Sequence, residues 1–154
     1  MAQAKFDAQQ RQSAKLPRQM PNPEGRQEDC LQINYHQQGL MNLRNSGDVS
    51  KIMSRHFGTA LPQEANRFSV SGNRRALWLG PDESLLMCAD HDAAELHRTL
   101  STQLADQHFQ LTLLSDALAV YELNGPYVRE ILAKGCALDL HVSVFRPSQC
   151  AQSS

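Results

Sequence analysis

Residues 68–89 read Phe-Ser-Val-Ser-Gly-Asn-Arg-Arg-Ala-Leu-Trp-Leu-Gly-Pro-Asp-Glu-Ser-Leu-Leu-Met-Cys-Ala, and two turn sequences divide this run into three short apolar segments. Phe68 and Val70 alternate with serines, Gly72 and Asn73 can reverse the chain, and Ala76 to Leu79 reads as the returning strand. Gly80-Pro81-Asp82-Glu83 is the second turn, because proline presets φ and an aspartate can bond its own backbone. Leu85 to Ala89 then resumes an apolar strand. Connections this short require antiparallel neighbours, since a parallel crossover needs about a dozen residues or more.

Outward from this block, strands and helices continue to alternate. Upstream, Val49, Ile52, Met53 and Phe57 fall at i, i+3, i+4 and i+8, with Ser46 or Asp48 as N-cap and Gly58 as the stop, which predicts an amphipathic helix. Before it, Leu31, Ile33 and Tyr35 alternate, as do Met41 and Leu43, with Gly39 between, which suits a strand pair. Downstream, Asp90 or Asp92 can cap a helix in which Ala93, Leu96, Leu100 and Leu104 share a face. Phe109, Leu111 and Leu113 alternate, as do Ala117, Ala119, Tyr121 and Leu123, predicting a hairpin or one long bent strand. Gly125-Pro126 opens a third helix, with proline at its first position, Val128, Ile131 and Leu132 on one face, Lys134 near its negative end and Gly135 as C-cap. Leu138 to Ser154 reads as extended or irregular. The fold class is α+β, a mostly antiparallel sheet with helices on one face.

Composition bounds what such a chain can be. Its 154 residues allow one compact domain, and the apolar share of 41% is depleted mainly at the start. Residues 1–29 hold six glutamines and three prolines with few large apolar side chains, the composition of a mobile arm, so the domain is placed at 30–154. Lys plus Arg number 15 against 16 acids, so no global positive field exists to hold nucleic acid or an acidic membrane. No run approaches the roughly 20 apolar residues of a membrane span. Cys30, Cys88, Cys136 and Cys150 stand far apart and no signal core precedes them, which points to a reduced, cytoplasmic protein.

Candidate chemistry is sparse. The eight glycines form neither a dinucleotide fingerprint nor a phosphate loop. Cys136 and His141 could bind zinc or act as nucleophile and base, but Cys136 follows a helix C-terminus, whose dipole disfavours a thiolate, and a small buried thiol beside a locally bonded imidazole is the favoured reading. His91, Glu95 and His97 share no helix face cleanly, and Asp82 and Glu83 serve a turn better than acid/base work. Arg74 and Arg75 flank a hairpin. Trp78, Tyr127 and Phe145 are the aromatics best placed to anchor a partner, with core packing the default for Trp78.

Two stretches are specific enough to identify a family: Leu77-Trp78-Leu79-Gly80-Pro81-Asp82-Glu83-Ser84-Leu85-Leu86, and Leu123 to Gln152, which contains Gly125, Pro126, Tyr127, Lys134, Gly135, Cys136, Asp139, His141 and Phe145. With the Gly39 to Asn45 strand and the Leu61-Pro62 step, they resemble the gamma subunit of heterotetrameric sarcosine oxidase over residues of about 39 to 152. The resemblance implies the folate-binding aminomethyltransferase fold of the glycine-cleavage T protein. It also implies a noncatalytic assembly role beside alpha, beta and delta subunits in an enzyme that oxidatively demethylates sarcosine to glycine. FAD, FMN, NAD, tetrahydrofolate and zinc are then expected on those other subunits, and no catalytic, cofactor or metal residue on this chain.

Related assemblies act on N-methylglutamate, and the substrate is chosen by another chain. The alternative reading is a stand-alone folate-binding one-carbon transfer protein, with Asp116 or Asp139 at the pterin edge. Ser84 replaces the tryptophan common in the family's motif, removing a large anchor. Family members continue past Cys150-Ala151-Gln152; where those elements are absent rather than supplied differently, a sheet edge is left bare, and a truncated, partner-dependent or degenerate subunit is expected.

Overall fold

The computed structural model describes residues 31–153, and the proposed arm of residues 1–29 lies outside them. Seven strands and three helices follow in chain order: β1 (Gln32–His36), β2 (Gln38–Asn45), α1 (Ser50–Ile52), β3 (Phe68–Ser71), β4 (Arg74–Gly80), β5 (Glu83–Ala89), α2 (Ala93–Gln103), β6 (Phe109–Leu113), β7 (Val120–Asn124) and α3 (Val128–Leu132). Five strands form one sheet in the order β3-β4-β5-β2-β6, antiparallel at every pair. The quoted block supplies three consecutive strands of it, as its turns predict. The expected α+β class, with a mostly antiparallel sheet, is the one found.

Alternation in β5 sets the core face. Ser84, Leu86 and Cys88 are buried, while the residues between them are half-buried. Ala76 stands opposite Leu86, and Met41 and Leu43 stand opposite Leu86 and Ser84, so neighbouring strands present small and branched side chains to one layer. Onto this layer fold Val49, Met53 and Phe57 from the first helical segment and Ala93, Leu96, Leu100 and Leu104 from the second. Burial of such side chains contributes roughly 1.5–3 kcal/mol each before entropy is charged.

The 49–57 periodicity forms a helix that changes pitch. α1 runs without a break into a π-helical turn, Met53–Phe57, closed by the Gly58 N–H on the Met53 carbonyl at 2.9 Å. Gly58 sits at φ 88°, where a side chain would be strained, so the predicted stop is a conformational requirement. At the start, the expected Ser46 or Asp48 cap is not formed: the N-cap is Val49, without a side-chain cap, and Asp48 Oδ1 instead accepts the Ser50 N–H at 2.9 Å in a local turn.

Three expectations are corrected. β1 and β2 are not partners: Gln37 alone separates them, too few residues for a hairpin loop, and β1 pairs with β7 instead. Nor do the 109–113 and 117–123 runs make a hairpin. Ala117 and Leu118 both donate to the Leu114 carbonyl, and the turn carries the chain out of the main sheet before β7 begins at Val120. Finally, α3 begins at Val128 with Tyr127 at its N-cap, so Pro126 precedes the helix. Its end is made by Gly135 and Cys136 N–H groups sharing the Leu132 carbonyl at 3.0 and 2.8 Å, and Gly135 is not left-handed.

The β1–β7 ribbon carries a one-sided apolar face. Ile33 lies opposite Leu123 and Tyr35 opposite Tyr121, with the tyrosine rings 5.7 Å apart and tilted by 57°. Tyr35 and Tyr121 are 57% and 52% exposed. On the other face His36 Nε2 lies 3.0 Å from Glu122 Oε2, and this contact is the main cause holding the Glu122 carboxyl below its ordinary pKa.

Candidate functional site

The first motif block builds one wall of a cleft at the end of the sheet. A bulge between Trp78 and Gly80 ends β4, the Gly80–Glu83 turn crosses, and Ser84 returns opposite Trp78. The remaining walls come from Asn45 to Ser50, leading into α1, and from the loop around Leu61 to Ala65. The space is about 550 Å³, in the range of small-molecule sites.

Within it, Glu83 is fixed by Asn42 Nδ2 at 2.7 Å and by Arg44 Nη2 at 3.5 Å. Asp48 is committed to Ser50, whose side-chain and backbone hydrogen bonds hold its carboxyl below the ordinary value. Asp82 is exposed, and its backbone carbonyl accepts the Asn45 N–H at 3.0 Å, tying the turn to the end of β2. The acidic pair is thus divided: Glu83 belongs to a sheet-face ion pair and Asp82 to the turn. Trp78 is half-buried at the cleft rather than sealed in the core.

The second block is strapped to the first at its far end. Cys150 N donates to the Asn66 carbonyl at 2.9 Å, Gln149 bridges Arg67, and Cys150 Sγ lies 3.1 Å from the Arg67 carbonyl and 3.5 Å from that of Trp78. Burial, partly opposed by the Trp78 backbone contact, raises the Cys150 thiol pKa. This junction was not legible in the sequence, where residues 78 and 150 belong to separate motifs.

The other candidates of this block do not converge. His141 Nδ1 lies 2.7 Å from Ser143 Oγ, and the His141 N–H donates to Asp139 Oδ1 at 2.9 Å. The imidazole is thus engaged locally, with Ser143, and the half-buried Cys136 forms no disulfide. Phe145 is half-buried, its carbonyl accepting from Arg129 Nη1 at 3.2 Å, while Tyr127 and Lys134 are exposed. Gly125 takes φ 138° just before the exposed Pro126. On α2 the imagined cluster is also dispersed: His97 Nε2 meets the Leu111 carbonyl at 3.1 Å and His91 pairs with Asp92 at 3.3 Å. Among the described residues no group of three His, Cys, Asp or Glu side chains is placed to hold a metal ion, and no helix is long and apolar enough to cross a membrane.

Among the described residues, Cys88 is the most perturbed thiol. Burial, reinforced by Asp92 and Asp90 and opposed by Arg74, pushes its pKa up from 9.0 to about 11. A fold that holds the proton more tightly than the unfolded chain keeps this contribution in full below the unfolded value. It loses the contribution as pH rises from about 9 toward about 11. Urea midpoints measured at about pH 8 and about pH 10.5 should therefore fall more steeply for the natural chain than for Cys88→Ala. Equal slopes would show that the thiol does not ionise differently in the two states.

The geometry defines a mixed α+β domain on an antiparallel sheet, with a side cleft and an apolar ribbon. Residues 47–154 match the family described as "Sarcosine oxidase, gamma subunit family". The sarcosine oxidase subunit gamma of Corynebacterium sp. (strain P-1) is 36% identical over 110 residues, covering 71% of this chain and 53% of that protein. The subunit gamma of an Arthrobacter sp. is 36% identical over 90 residues, covering 58% and 43%. A chain of the heterotetrameric sarcosine oxidase from Corynebacterium sp. U-96, solved in complex with pyrrole 2-carboxylate, superposes with a TM-score of 0.72 at 26% identity, covering 80% of this chain and 65% of that one. The chain belongs to the sarcosine oxidase gamma subunit family. It spans about half the length of the curated relatives it matches.

Proposed function

We propose that this chain acts as the noncatalytic gamma-type subunit of a heterotetrameric flavoenzyme that oxidatively demethylates sarcosine or a related N-methyl amino acid. The carrying observation is the family match over residues 47–154, which includes both motif blocks. Its contribution is assembly and stabilisation, since a partner that binds only the folded complex shifts the folding equilibrium by mass action. Exposed apolar side chains suit that role: Ile33, Tyr35 and Tyr121 on the ribbon, and Ile131 and Leu132 on α3, project where a partner surface could cover them. The partners are alpha, beta and delta subunits in the cytoplasm, and FAD, FMN, NAD, tetrahydrofolate and zinc reside on those chains.

The test is recovery of the tagged chain from its native cells, followed by native mass spectrometry and a visible spectrum. The expected result is a yellow complex with three companion chains that oxidises an N-methyl amino acid. A colourless chain eluting alone would overturn the proposal.

A further inference from the structure

The cleft beside Trp78 has a property that the subunit role does not require. Ser84 is only 6% exposed and lines the cleft, yet its hydroxyl has no hydrogen-bond partner among the described residues. Among the described residues no side-chain nitrogen or oxygen sealed from solvent lacks a partner, so this oxygen opens onto the cleft. A nearly buried hydroxyl turned toward open space offers an acceptor at a cost in desolvation that a bound donor would recover.

The surroundings select the donor. Asp48, Asp82 and Glu83 line the same space, and no Lys, Arg or His does. Arg44 offsets Glu83 and Ser50 engages Asp48, with Lys51 acting on Asp48 only from outside the lining, but the Asp82 carboxylate has no partner among the described residues. Trp78 stands beside Ser84 on the adjacent strand, offering an aromatic surface to a cation and its aliphatic stem. An anion would meet uncompensated negative charge, and a neutral alcohol would leave Asp82 unused.

We propose that the cleft between Trp78, Asp82 and Ser84 binds a small organic cation, an alkylguanidinium or alkylammonium, whose N–H groups donate to the Ser84 hydroxyl and the Asp82 carboxylate. The site is independent of the assembly role.

Trp78 is the only tryptophan of the chain, so its fluorescence reports the cleft directly. Titrating the full chain with n-butylguanidinium should give a saturating change in emission, whereas n-butanol and butyrate should give none. Asp82→Asn should weaken binding about threefold, the scale of an exposed ion pair. Ser84→Ala should weaken it about fivefold, the scale of one lost hydrogen bond. Ser84→Phe should abolish binding by filling the space, and Asp82→Asn, in an exposed turn, keeps the test decisive if that variant does not fold. An absent or non-saturating response, an equal response to n-butanol, or unchanged affinity in both Asp82→Asn and Ser84→Ala would overturn the assignment.

Discussion

Phe57→Ala should lower the unfolding free energy by about 3–5 kcal/mol, the range for removing a buried aromatic ring. Phe57 is fully buried, closes the π-helical turn, and belongs to the cluster that joins the first helix to β2, β5 and α2. Arg74 Nη1 donates to the Phe57 carbonyl at 2.7 Å, a backbone contact that the substitution leaves in place. The loss is then packing, together with the guanidinium 6.0 Å above the ring. Domains of this size are stable by about 5–15 kcal/mol, so the variant should melt about 10 °C lower or more, read by far-ultraviolet circular dichroism. A shift of only a degree or two would mean that the helix does not seal the core.

The strands most legible in the sequence were those whose turns are written into it. Gly72-Asn73 and Gly80 to Glu83 fix two antiparallel pairings because each loop is too short for any alternative. The helix at 49–57 was readable because its spacing needs only one buried stripe, and Gly58 is a stop at either pitch. Pairing between distant strands was not readable. Ile33 and Tyr35 alternate as they would in any strand, and nothing local reveals that Leu123 and Tyr121 lie opposite them. The β1–β2 hairpin failed because β2 already begins at Gln38, so Gly39, read as lying between the strands, is inside one of them and Gln37 is the whole connection.

The cleft shows the same division between local and long-range information. The turn role of Asp82 followed from proline and aspartate chemistry, and the open carboxylate follows from that exposed position. The value of Ser84 depended on its neighbours. In the sequence it is only a small residue at an anchor position, whereas in the fold it is a nearly buried hydroxyl facing open space beside Trp78. Cys150 likewise reads as an isolated thiol until the strand edge brings the Arg67 and Trp78 carbonyls to it. Side chains whose role is set within a turn can be read early, but those defined by a contact across the sheet cannot.

Gly39→Ala should be strongly destabilising, for a reason unrelated to turns. Gly39 lies in β2 opposite Cys88, where the strand passes close under the start of α2. A Cβ there would lie 2.7 Å from the Ala93 Cβ, 2.7 Å from Cys88 Sγ and 2.9 Å from the Ala89 carbonyl oxygen. Two of these neighbours are a backbone oxygen and a short side chain on a helix, and neither can swing away as the end of a long side chain could. The backbones must separate, which opens the layer between β2, β5 and α2 and costs about 1–3 kcal/mol or more. Urea denaturation should show the midpoint falling with little change in slope. Adding Cys88→Ala removes the sulfur from the collision, so the double variant should lose less stability than the sum of the two single changes, as expected for residues in contact. Strict additivity, or a midpoint unmoved by Gly39→Ala, would mean that β2 and α2 do not approach as closely as this packing requires.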